Sequence, residues 1–70
     1  MSVVTRAEAL FLSDLQPSEH PSHDEVEFAI SWSLRAHGGE CRCAADFAAA
    51  YAEHPETSAS RMRWALAAAA

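Results

Sequence analysis

Every proline and glycine in this chain falls between stretches whose apolar residues recur at helical spacing or, for Pro55, at the first position of one. Pro17 and Pro21 share the run Gln16 to Ser22, Gly38 and Gly39 are adjacent, and Pro55 stands alone. Proline removes a backbone donor and clashes with the preceding turn, and glycine ends helices by adopting the left-handed conformation, so these positions divide the chain. The segments between them predict helices over residues 6–15, 23–37, 42–52 and 55–68. The expectation is an all-α, four-helix domain spanning residues 1–70, at least about two thirds helical and without strands.

Local signals support each segment. Thr5 and Glu8 fit a capping box, and Ala7, Leu10, Phe11 and Leu15 then fall on one side of a first helix, with Leu12 widening the stripe. Ser22 and Glu25 repeat the pattern, and Asp24, Glu25 and Glu27 suit the positive end of the second helix. That helix gathers Val26, Ala29, Ile30, Ser33, Leu34 and His37 on one face. Phe28 and Trp32 extend the apolar surface past half the circumference, which predicts that the second helix is central and covered by the others. The third helix aligns Cys43, Phe47 and Tyr51, with Ala44 and Ala48 beside them. A break at Ala52, Glu53 and His54 leads into the fourth helix, which opens on Pro55 and is expected to bury Ser58, Ala59, Met62, Ala65, Leu66 and Ala69.

Charge is unevenly spread. Net charge is −5 with no lysine, and residues 1–34 carry Glu8, Asp14, Glu19, Asp24, Glu25 and Glu27 against Arg6 alone. Residues 35–70 balance their acids with Arg35, Arg42, Arg61 and Arg63. An acidic domain repels phosphate backbones at long range, so any contact with DNA has to come from the second half. A chain of 70 residues buries only roughly 60% of its unfolded surface, and a protein partner or self-association would add to that. No apolar run approaches a membrane span and no basic-then-apolar leader precedes the first helix, so the expectation is a cytoplasmic protein with no membrane partner.

The segment FAAAYAEHPETSASRMRWAL carries the one functional lead. In it Pro55, Glu56, Thr57, Ser60, Arg61, Met62, Arg63, Ala65 and Leu66 follow in order, with Ala48 as a small residue on the preceding helix. The segment resembles the C-terminal DNA-binding region of sigma factors and the related LuxR-type helix-turn-helix. Ala52 stands where that family has its turn glycine, Glu53 where it has an apolar residue, and His54 where it has a capping serine. The resemblance implies a helix-turn-helix-like unit over about residues 43–69, with Thr57, Ser60 and Arg61 toward bases and Arg63 toward phosphate. Trp64, flanked by arginine, is instead a residue type enriched at protein–protein hot spots. The function expected is a small transcription-associated regulator that binds DNA or a transcription-factor partner through Thr57, Ser60, Arg61, Arg63 and Trp64. The other reading is a helical adaptor with no tie to transcription.

Enzyme chemistry is not expected. The carboxylates crowd helix starts rather than pairing with a fixed histidine, and no phosphate loop or nucleophile elbow is present. His37, Cys41 and Cys43 come one residue short of a His-x3-Cys-x2-Cys arrangement, and Cys-x-Cys is an awkward bite for one tetrahedral ion. No metal and no cofactor is therefore assigned, and Cys43 is read as a small buried residue beside a free Cys41 thiol.

Overall fold

Ser2, rather than Thr5, starts the first helix. In the computed structural model, which describes residues 1–70, the Ser2 hydroxyl accepts from the Thr5 amide at 3.2 Å and α1 runs over Val3–Phe11. It then stops four residues before Leu15, because Ser13 turns its hydroxyl onto the Leu10 carbonyl at 2.6 Å and competes with the helical ladder. Leu12 and Leu15 still pack against the core, but from the loop. A single 3-10 turn, Pro17–Glu19, occupies the two-proline segment.

The other three helices are α2 (His23–His37), α3 (Glu40–Glu53) and α4 (Pro55–Ala69), and there is no strand. The expected capping box opens α2: Ser22 accepts from the Glu25 amide at 3.2 Å while the Glu25 carboxylate accepts from the Ser22 amide at 2.9 Å. Gly38 closes it at φ +89°, donating its amide to the Leu34 carbonyl. The expected break before Pro55 contracts to one residue, His54, since α3 continues through Ala52 and Glu53. No helix is long and apolar enough to cross a membrane.

The central helix is α1 and not α2. It packs on all three other helices, most extensively on α4. Ala7, Ala9 and Leu10 are fully buried, and Ala7 and Ala9 lie nearly opposite each other around the helix, so two neighbours can approach closely from opposite sides. Helix α2 contributes one face only. Val26, Ala29, Ile30 and Ser33 are buried as expected, whereas Phe28 is 71% and Trp32 59% exposed.

From α3 come Cys43, Phe47 and Tyr51, the Phe47 ring meeting Phe11 edge-on at 4.9 Å between centroids and Tyr51 at 5.7 Å. Ala48 faces solvent, and Ala50 packs on the core in its place. In the expected inner row of α4, Ser58, Ala65 and Ala69 are buried and Ala59 and Met62 half-buried, whereas Leu66 is exposed and Ala68 packs on the core.

Helices α1 and α4 run antiparallel, each supplying an arginine to the carbonyl end of the other. Arg6 Nε donates to the Ala69 carbonyl at 3.2 Å, and its two terminal nitrogens hold both oxygens of Glu27 on α2. Arg61 does the corresponding work at the end of α1. A guanidinium suits this place because the last carbonyls of a helix have no partner of their own and carry partial negative charge.

Candidate functional site

Four of the five residues expected to form a site do come together. Thr57, Ser60, Arg61 and Trp64 line a shallow groove of about 340 Å³ with Gln16 and Pro17. Arg63 lies outside it, exposed on the other side of α4. Thr57 and Ser60 are exposed, and Trp64 is half-buried against the edge of the core.

Arg61 is not the free surface group expected of it. Nε donates to the Phe11 carbonyl at 2.8 Å, and one terminal nitrogen reaches the Ser13 carbonyl at 2.9 Å and, more weakly, the Leu10 carbonyl at 3.5 Å. Its guanidinium carbon lies near two aromatic rings, 5.0 Å from the Trp64 centroid and 5.8 Å from that of Phe11. Burial lowers its hold on the proton from the ordinary arginine value. The signal was present in the sequence, because position 61 is three residues after Ser58 and four before Ala65, on the stripe that α4 buries. Most of the fork is thereby committed to α1.

A second groove, which the sequence reading did not anticipate, lies along α2. It has a volume of about 600 Å³, and Phe28 and Trp32, one turn apart, form its aromatic wall with Ala29 and Leu15. Asp14, Glu19, Asp24 and Glu25 line it as well. None of these four carboxylates is in an ion pair; the pairs formed are Arg6 with Glu27, His37 with Asp46, and His54 with Glu53. Glu19 and Glu25 each accept a backbone amide, from Gln16 at 2.7 Å and Ser22 at 2.9 Å. The bonds from the Ser22 amide and then its hydroxyl hold the Glu25 carboxyl below its usual range, and it stays anionic at neutral pH. The acidity of the first half of the sequence thus resolves into one place. Glu27 is neutralised by Arg6, and four of the remaining acids surround two exposed aromatic rings.

The thiols face apart. Cys43 is 0% exposed with Sγ 3.8 Å from the Ser33 carbonyl, and burial, helped by the charges of Asp46 and Glu8, raises its pKa. Cys41 is exposed, and the His37 ring is engaged by Asp46 at 2.7 Å. No three His, Cys, Asp or Glu side chains are grouped so as to hold a metal ion. Among known proteins, no family model, curated sequence or solved structure matches this chain.

Proposed function

We propose that this chain is a small, non-enzymatic protein-interaction module whose docking face is the exposed side of α2. The observation that carries the reading is the Phe28–Trp32 pair, the largest side chains left in water on any helix of the fold. Burying such a ring gains about 1.5 to 3 kcal/mol, so leaving two of them a turn apart on a stable helix costs the free chain what a partner would recover. Two free thiols suit a reducing, cytoplasmic setting. A photo-crosslinking residue at position 28 should give a discrete adduct in the producing cell that is absent when the probe sits at exposed Ala49 on α3. Identical adducts from both positions would reject the α2 face.

The transcription setting is proposed on the α4 surface, where Thr57, Ser60 and Arg63 are exposed in the segment that resembles a helix-turn-helix. With Arg61 turned onto α1, Arg63 is the free cation of that helix, and one phosphate contact gives a salt slope of only about −0.9. A transcription factor is therefore the target this surface serves better than DNA. Fluorescence anisotropy with a random duplex tests it: binding that survives about 150 mM salt and disappears in Arg63→Ala would restore DNA as the target.

A further inference from the structure

We infer that the α2 groove takes a basic amphipathic helix: a partner segment with a row of aliphatic side chains bordered by lysine or arginine. The inference rests on the reading of α2 as the docking face and adds the chemistry of what docks there. Apolar and charged features are both specific. Phe28 and Trp32 offer a hydrophobic wall that alternating Leu or Ile at i, i+3 and i+7 of a helix can cover. Asp14, Glu19, Asp24 and Glu25 stand around that wall with no cation opposite any of them. Long basic side chains lay their methylene stems on aromatic rings and carry their charge outward, which matches an aromatic floor inside an acidic rim. From Asp24 to Trp32 the wall is about 12 Å long at 1.5 Å per residue, enough for about two turns of a partner helix.

Charge selects this occupant over the others. A second copy of the chain would bring the same four carboxylates into the same space, with Arg35 the cation nearest the aromatic pair on α2 to oppose them. Nucleic acid and anionic lipid would meet like charge. Only a cationic segment is both attracted at a distance and complementary in contact.

The test uses the full chain, isotope-labelled, with two synthetic amphipathic peptides of the same Leu row, one bordered by Lys and Arg and the other by Glu. The basic peptide should shift the Trp32 indole signal and the amides of Asp24, Phe28 and Trp32. It should bind at least about tenfold more tightly than the acidic one in low salt, an advantage that shrinks severalfold at about 0.5 M salt. The double substitution Asp14→Asn with Asp24→Asn spares the two carboxylates that accept backbone amides, and should weaken the basic peptide severalfold while lowering the melting temperature by only a few degrees, the share of Asp24 at the start of α2. Equal or tighter binding of the acidic peptide, still lost in Trp32→Ala, would overturn the charge assignment and leave α2 as the docking face. Binding that is indifferent to Trp32→Ala, or shifts confined to α4, would overturn the docking face itself. A Trp32-dependent dimer in sedimentation would assign the groove to a second copy and also overturn the inference.

Discussion

Replacing Arg61 with alanine should destabilise the fold by about 2 to 3 kcal/mol, although arginine is a residue type ordinarily found at the surface. Leu10 O already accepts from the Ser13 amide at 3.0 Å and the Ser13 hydroxyl at 2.6 Å, so it loses little. The Phe11 and Ser13 carbonyls are the exposed loss, because Arg61 is their partner at 2.8 and 2.9 Å. Hydrogen bonds to a charged donor contribute about 1.5 to 3 kcal/mol each, and water entering a half-buried site recovers a good part of both. Loss of charge at the helix end adds about 0.3 to 1 kcal/mol, and loss of the contact with Trp64 about 0.5 to 1. These terms share one side chain and are not additive, which gives the stated range. For a domain of this size a change of that order lowers Tm by about 10 to 20 °C in a circular-dichroism melt. Arg61→Lys should recover part of it by reaching one carbonyl as a point charge, and Arg61→Met should not, since it keeps only the stem. Arg63→Ala, at an exposed position, should stay within about 0.5 kcal/mol. An Arg61→Ala protein that melts within about 2 °C of the parent would show that solvent replaces the arginine without cost.

Three further outcomes are expected. Glu27 and Glu25 have depressed pKa values, through the Arg6 and Ser22 hydrogen bonds respectively, so the stability they confer is complete above the unfolded carboxyl range near 4.5 and is lost as pH falls through the lower folded values. Acid titration of the melt should show that limb, and Glu27→Gln should flatten it; an unchanged limb would mean that the Arg6 pair is not formed in solution. In native protein a thiol reagent should modify Cys41 rapidly and Cys43 only upon unfolding, and two equally fast thiols would contradict the burial of Cys43. Gly38→Ala should cost about 1 kcal/mol from the φ of +89° alone, since an added Cβ meets nothing nearer than the Arg42 side chain at 3.8 Å; a neutral result in denaturant titration would show that α2 can end another way.

Helix ends were legible in this sequence because they depend on a few adjacent residues. Ser22 with Glu25, Gly38, and Pro55 do in the structure what their chemistry predicts. The start of α1 lies three residues earlier than expected because Val3 and Val4 are weak helix formers and Thr5-x-x-Glu8 offered a competing box, whereas it is Ser2 that caps the helix, with Val3 and Val4 exposed. Which helix is central was not legible. A broad apolar surface on α2 is equally the mark of a helix covered on two sides and of one that keeps two aromatics in water, and periodicity alone does not separate them. The groove was illegible for the same reason, since it needs Asp14 and Glu19 from a loop beside Phe28 and Trp32 from a helix. Arg61 was misread through its type: charged residues are expected outside, yet its spacing from Ser58 and Ala65 placed it on the inner stripe.

The pairing of α1 with α4 also sets the order in which this chain can fold. Arg6 and the Ala69 carbonyl it caps are 63 residues apart, so the largest helix–helix interface closes nearly the whole chain into a loop. Loop closure costs entropy that is recovered only when the ends have docked, which makes this bundle slower than its helical content implies. Of the four helices α1 is synthesised before the others and α4, its main partner, after them. The side of α1 that α4 covers stays open until α4 has been made, and that interval is when the nascent chain is most open to chaperones and to aggregation.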